Sequence, residues 1–433
     1  MFLVMMRRNF VKEPVTYLLL LTAMFAASIA RSVYANSEKF SWSGFGTLAY
    51  TRDDSDSLGF FRDLTQNKQP EQTGSFAIDS QLGVQLSYQF NPKFRATTQL
   101  VYADKSLYKF KTAVEWAFLG YKPQNDWDIR LGRMAIDLFE VSETRRIDYI
   151  STWMRPPAEM YAWITPYYID GVDVTKSFIR GDNFWRVKLQ YGQLESFVEL
   201  ADGSSIVEIN VDDLIIASVS LDSFPWAFRT SLLTFDSSDV DTFGPDLVLA
   251  LNGLLQFPVP GTVRTEAEDV IAIIQEYSGA SVQYWQASAN YRQNNWIFKA
   301  EVVNVDTDAR ATPDGWAAYI NLGYEFNQFT PYAVLSTFQS DNRPVNLSDD
   351  WLTIPNGPLL RASAERYFNL ALIQQDTLSL GVIYPIDDKL LLKFQWDHSR
   401  VGAGGYALWA SEGAVENQDQ DVNLISVGLN FIF

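Results

Sequence analysis

The chain has 433 residues, a formal net charge of −18, no cysteine and a single histidine, His398. Such acidity excludes nucleic acid as a partner, since binding it needs positive charge to displace counterions. The missing cysteine excludes disulfides and thiolate metal sites, and a Ser-His-Asp enzyme would have to be built on His398 alone.

At the N-terminus Arg7, Arg8 and Lys12 precede an apolar run from Val15 to Ala30, and Val33-Tyr34-Ala35 follows. This pattern predicts a secretory signal peptide, residues 1–35, cleaved after Ala35. A retained anchor is the alternative, although the run is shorter than a full helical span. The leader takes away four Lys/Arg and one acid, so residues 36–433 carry a net charge of −21. Elsewhere there is no stretch of 18 apolar residues, so no spanning helix is expected.

From Phe40 onward the dominant pattern is alternation of apolar and polar residues in segments of about ten, the length that crosses a bilayer as a tilted strand. In QLGVQLSYQF, Leu82, Val84, Leu86, Tyr88 and Phe90 share one face, and Gly83, Gln85, Ser87 and Gln89 the other. The turn Asn91-Pro92-Lys93 leads into FRATTQLVYA. Strands are expected near 40–51, 76–90, 94–104, 111–122, 127–134, 169–179, 184–193, 211–222, 225–235, 280–291, 295–305, 315–326, 329–338, 375–385, 389–398 and 421–433. Seven tight turns alternate with eight wider connections, which predicts sixteen antiparallel strands closed into a transmembrane β-barrel, residues 36–433 forming one domain. A soluble sandwich would have to bury the apolar faces of sixteen strands in an unusually large double sheet.

Strands leaving the tight turns open on a large apolar residue with a cation close behind. Trp127 precedes Arg130, Trp185 precedes Arg186 and Lys188, Trp226 precedes Arg229, Trp296 precedes Lys299, Phe94 precedes Arg95 and Leu390 precedes Lys393. Parity turns the aromatics outward as an interfacial girdle and the cations inward. Arg95, Arg130, Arg186, Lys188, Arg229, Lys299 and Lys393 are therefore expected to ring the lumen in its periplasmic half. Two readings stand for them: they balance inward acids such as Asp128, Glu115, Glu301, Glu325 and Asp397, or they set up a field that sorts solutes by charge. Tyr121, Tyr319 and Phe235 are inward aromatics that a sugar path would use.

The third wide connection, 135–168, reads AIDLFEVSETRRIDYISTWMRPPAEMYAWITPYY. It is too apolar to stay free in water, and ordered loops of this length usually have a function. Folded toward the lumen it brings Glu140, Glu143, Arg145, Arg146, Asp148, Arg155 and Glu159 against the wall as a constriction. A lid over the mouth or a subunit contact is the other reading.

Acids crowd further connections: Asp53, Asp54 and Asp56; Glu195, Glu199, Asp202 and Glu208; then Asp236, Asp239, Asp241, Glu266, Glu268 and Asp269. They read as a solvated face, as a cation-enriching mouth, or as ligands for divalent ions that bridge lipopolysaccharide. Within the fifth connection DLVLALNGLLQF and EAEDVIAIIQEY have helical apolar spacing. His398 shares parity with Trp396 and is placed at the rim, facing lipid.

The chain ends in SVGLNFIF, where Ser426, Gly428, Phe431 and Phe433 resemble the C-terminal signal read by the insertion machinery of bacterial outer membranes. Sixteen strands, a long third loop and a terminal Phe resemble the trimeric porins of Gram-negative outer membranes. Arg130-Leu131-Gly132-Arg133, Trp153-Met154-Arg155-Pro156-Pro157 with Glu159 and Tyr161, and Asp170-Gly171-Val172-Asp173 are similar to a porin subgroup related to phosphate-selective types, though the acidic loops depart from an anion-selective pattern. The resemblance implies a homotrimer in contact with outer-membrane lipid and lipopolysaccharide, and passive diffusion of small hydrophilic solutes and ions through a water-filled channel. No catalytic set, cofactor or metal site is expected. A substrate-specific channel for phosphate, other anions or sugars is the alternative, ahead of a structural barrel or an outer-membrane enzyme.

Overall fold

The computed structural model describes residues 39–69, 74–107, 110–164, 167–199, 206–237, 245–276, 281–307, 312–369, 371–411 and 418–433. The expected leader, residues 1–35, lies outside them, as do Asp202, Asp239 and Asp241.

Sixteen long strands form one antiparallel sheet: β1 (Phe40–Asp53), β2 (Gln81–Asn91), β3 (Phe94–Ala103), β4 (Val114–Tyr121), β5 (Trp127–Ala135), β6 (Tyr168–Arg180), β7 (Asn183–Glu199), β8 (Ile206–Ser223), β9 (Trp226–Ser237), β10 (Ser281–Gln293), β11 (Trp296–Thr307), β12 (Gly315–Tyr324), β13 (Thr330–Ser340), β14 (Ile373–Asp387), β15 (Leu390–Tyr406) and β16 (Gln420–Ile432). Each pairs with its sequence neighbour, and the sheet closes because β1 pairs on one side with β2, Phe40 opposite Tyr88, and on the other with β16, Phe45 opposite Ile432. Closure removes both sheet edges, so every ladder group has a partner without water, which hydrocarbon demands.

Burial alternates as the sequence does, with the apolar face exposed. On β16 Ser426 and Asn430 are fully buried, while Ile425 and Val427 are about half exposed. Leu119, Leu131, Leu189, Ile320 and Leu335 are likewise exposed on the outer face. Oily outside and polar inside is the inverse of a soluble sheet and defines a membrane-spanning barrel. Toward the tight turns the outer face carries aromatic pairs: Phe94 stacks on Tyr121 at 4.6 Å between centroids, Phe178 lies parallel to Trp185, and Trp226 packs against Tyr291 at 4.9 Å. Tyr121 thus belongs to the outer girdle rather than the interior. Its parity follows Leu119, across a register shift opposite Gln99 and Leu100 that also turns Glu115 inward.

The strand plan of the sequence is recovered with local differences. β2 starts at Gln81 because the preceding residues form a turn that presents Asp79 to two arginines. The expected fourth connection is largely strand: β7 and β8 stay paired from Glu199–Ile206 down to Leu194–Val211, so Glu195, Glu199 and Glu208 sit on strands. β15 continues to Tyr406, eight residues beyond the expected end.

Two connections on the same side as these extensions build a helical module. Helices α1 (Pro245–Leu254) and α2 (Gly261–Glu276) come from the β9–β10 connection, and α3 (Gly357–Asn369) from β13–β14. Val263, Ala267 and Val270 recur at helical spacing and share a separate core with Leu251, Trp351 and Ala364. Glu266 accepts bonds from the Ser348 N–H and hydroxyl and from Trp351 Nε1 at 2.6–3.3 Å, so this acid is a structural acceptor and not a solvated charge.

Candidate functional site

Between β5 and β6 the described residues 136–164 contain no long regular element. Pro156-Pro157 forces extended backbone, after which Ala158–Tyr161 makes a single helical turn closed by Ala162 N–H to the Ala158 carbonyl. Trp163 Nε1 donates to the Glu159 carbonyl at 2.7 Å. Leu138, Phe139, Trp153, Met160, Tyr161 and Trp163 are all buried, in one cluster with strand residues such as Ile216, Val303, Tyr319 and Phe338.

The charged side chains of this segment reach inward-facing groups of strand after strand. Asp137 accepts from Ser218 on β8 at 2.7 Å and pairs with Lys188 on β7 and Arg229 on β9. Glu140 accepts from Ser288 and Asn290 on β10, and its N–H donates to Glu301 on β11 at 2.9 Å. Glu143 pairs with Arg130 on β5 and Lys188 at 2.9 and 3.0 Å. Asp148 accepts from Thr47 on β1 and Gln81 on β2, and from both terminal nitrogens of Arg62.

Arg155 spends every nitrogen: Nε and Nη2 on Asp79, Nη1 on Asp397 of β15 at 2.8 Å, and Nη2 also on Thr51 and Ser426. Beyond the two prolines, Glu159 accepts from Ser336 on β13 and from Gln375 and Thr377 on β14. Asp63, Asp79 and Asp137 are held charged in this interior. Burial alone would raise each carboxyl, but the cations and hydrogen-bond donors around it, foremost Arg146 for Asp63, Arg155 for Asp79 and Lys188 for Asp137, together outweigh burial and keep all three below the usual carboxylate range.

The seven expected wall cations all lie on inward-facing positions, yet most are engaged. Arg130 binds Glu143 and Asp173, Lys188 binds Asp137 and Glu143, and Arg229 binds Asp137. Lys393 is fully buried and donates to the carbonyls of Asp148, Ser151 and Trp153 at 2.5–2.9 Å. Arg95 pairs with Asp128 at 2.7 Å, Lys299 lies 5.2 Å from the Trp153 ring centre, and Arg186 is exposed. Of the inward acids proposed to balance them, Asp128 does so, while Asp397 and Glu115 instead meet Arg155, Lys105 and Arg146, and Glu325 meets Arg292 beside a tight turn.

All seven loop residues singled out in the sequence are brought into this network or its margin, where Arg145 and Arg146 lie against Tyr167. Sequence reasoning missed Asp137, Arg62, Asp63 and Asp79, and also the pairing of Asp173, a residue it quoted only within a motif. Their partners stand 43 to 92 residues away where measured across Arg130–Asp173 and Asp137–Arg229, and no local spacing marks such pairs. Asp137 alone left a signal, as a lone carboxylate in an apolar run. His398 faces outward with Trp396 at 6.0 Å and Asn423 at 3.1 Å.

No family model matches the sequence, and no curated protein matches it either. Solved structures do. OmpF of Salmonella typhi, in a complex with daunomycin, aligns with a TM-score of 0.50 at 10% identity, covering 91% of this chain and 97% of that one. OmpT of Vibrio cholerae aligns at 0.49 and 13% identity over 92% and 99%, and the channel DcaP of Acinetobacter baumannii at 0.48 and 9% over the same shares. The likeness to OmpF, together with the closed sheet of sixteen long strands, shows the fold of outer-membrane β-barrels. Within these, it is the sixteen-stranded porin architecture.

Proposed function

We propose that the chain is an outer-membrane channel for passive diffusion of small hydrophilic solutes and ions, narrowed by residues 136–164 lying across its lumen. The observation that carries this reading is the spread of anchors. Asp137 on β7 to β9, Glu140 on β10 and β11, Glu159 on β13 and β14, and Arg155 on β1, β15 and β16 take one segment round most of the wall. A lid resting on the rim has no reason to touch every side of a barrel. The wall cations then have two tasks, four of them holding the segment and Arg186 facing the free passage. The polar interior and the outward position of His398 favour a channel over an enzyme.

A homotrimer in lipid and lipopolysaccharide, delivered by a leader of residues 1–35 and inserted through Ser426, Gly428, Phe431 and Phe433, completes the reading. Liposome swelling tests it. Refolded protein should admit small sugars and slow steeply with solute size, and cross-linking should give a three-chain species. Folded, inserted protein that admits neither sugars nor ions would overturn it.

A further inference from the structure

Residues 58–68, in the β1–β2 connection, lie on the side of the barrel away from the tight turns and reach two distant parts of its wall. Leu58–Phe60 pairs antiparallel with Trp409–Ser411 of the β15–β16 connection, a small sheet separate from the barrel. The Phe60 ring meets Trp409 edge-on at 5.6 Å, and Trp409 Nε1 donates to Gln375 on β14 at 2.6 Å. Further along, the Leu64 N–H donates to the Ala162 carbonyl at 3.0 Å, and the Lys68 N–H donates to Glu199 on β7 at 2.6 Å. β7 and β14 stand on nearly opposite sides of the ring of sixteen strands, so this stretch is a strap across the mouth.

The strap is dry. Leu58, Phe61 and Trp409 are no more than 2% exposed, and the polar Arg62, Asp63, Gln66 and Lys68 are buried as well. Leu58 and Trp409 share one apolar core with Trp153, Met160 and Trp163 of the anchored segment. A connection that merely bordered an open, water-filled mouth would leave its inner face wet. Arg62 donates twice to Asp148, at 2.6 and 3.1 Å, and with the Lys68 contact this holds the far part of the strap in place. The paired end is held by three residue pairs and the aromatic contact.

We infer that Leu58–Phe60 and Trp409–Ser411 form an outer gate, a second barrier in series with residues 136–164, which must part for a solute to reach that segment from outside. The inference rests on the channel reading for its purpose, but not for its geometry. Loop motions run in nanoseconds to microseconds, so a conductance record averages the opening of such a gate into a steady level.

The test locks and loosens the gate in the full refolded chain. Gly59 and Ala410 stand directly opposite each other, and the chain has no cysteine of its own. Opposite residues of an antiparallel pair are close enough for a disulfide, so Gly59→Cys with Ala410→Cys locks the gate when oxidised and frees it under dithiothreitol. Phe60→Ala with Trp409→Ala loosens it. Both variants and the parent protein are recorded in planar bilayers, and limited proteolysis follows residues 136–164. The gate predicts conductance at least fivefold lower in the oxidised cysteine pair than in the reduced one, with no response of the parent to either treatment. It also predicts conductance at least twofold above the parent in the alanine variant, with the segment still protected. The cysteine pair replaces two small residues, so it keeps the test valid if the alanine variant fails to fold. Equal conductance of oxidised and reduced chains, with the disulfide confirmed by mass, overturns the gate and leaves the channel standing. A silent parent beside a conducting alanine variant upholds the gate and removes the open channel. Silence in every folded, inserted chain removes both.

Discussion

Arg155 and Asp79 are joined by three hydrogen bonds of 2.7 to 3.1 Å, with both side chains almost wholly removed from solvent. The pair links the middle of the long β5–β6 segment to the turn that opens β2, and Asp397 and Ser426 fasten the same guanidinium to β15 and β16. Arg155→Ala would leave the buried Asp397 without a cation and Asp79 with Arg62 at 3.6 Å, a loss of about 3–5 kcal/mol for a broken buried pair. The expected outcome is a barrel that still folds but whose segment 136–164 is cut early in limited proteolysis, at sites protected in the parent protein.

The closing seam supplies a second prediction. Phe433 exchanges backbone hydrogen bonds with Gly44 at 2.9 and 3.0 Å, and its ring occupies the space a side chain at position 44 would need; Phe431 does the same over Gly46. Gly44→Val should destabilise the barrel by about 1–3 kcal/mol through overpacking, and Phe433→Ala in the same chain should recover part of that loss. Gly253 in α1 has open space where a β-carbon would stand. Its change to Ala should be neutral or stabilise by up to about 1 kcal/mol. Heat-dependent migration of the folded form on gels separates the cases.

Glu266 couples two connections that lie far apart in sequence. Glu266→Ala removes the acceptor for Ser348 and Trp351, a loss of about 1.5–3 kcal/mol for bonds to a charged group. Amide exchange should quicken in α1, α2 and α3 while the strands keep their protection. Conductance should not change.

Lys68 gives a pH dependence. Its ammonium lies over the Phe61 ring, and burial lowers it to about 7 despite the opposing charges of Asp63, Glu199 and Asp104. The unfolded chain keeps this proton up to about 10.5, so between pH 7 and 10.5 it binds more proton than the folded one. Stability should therefore rise with pH across that window. Lys68→Met should flatten the rise in denaturant titrations.

The barrel was legible because a two-residue period survives in each strand and the tight turns punctuate it. What blurred was the reach of β7 and β8 above the membrane. There Glu195 and Glu208 look like loop acids, and nothing local shows that their backbones stay paired. The helical module was half visible: Val263, Ala267 and Val270 show their period, whereas α3 packs on that core through Leu360 and Ala364 and leaves Leu359 exposed. At the site, charges set in an apolar loop drew attention to Glu140, Glu143, Arg155 and Glu159. The partners that make them anchors, such as Asp79 for Arg155, are fixed by the closure of the barrel and have no signature along the chain.

Single-channel recording under a salt gradient, comparing the parent protein with an Arg155→Ala, Glu159→Ala double variant, tests the constriction most directly. The account predicts a small, steady conductance in the parent and a larger, noisier one once both anchors are gone. Identical conductance in the two, or none in folded and inserted parent protein, would contradict it.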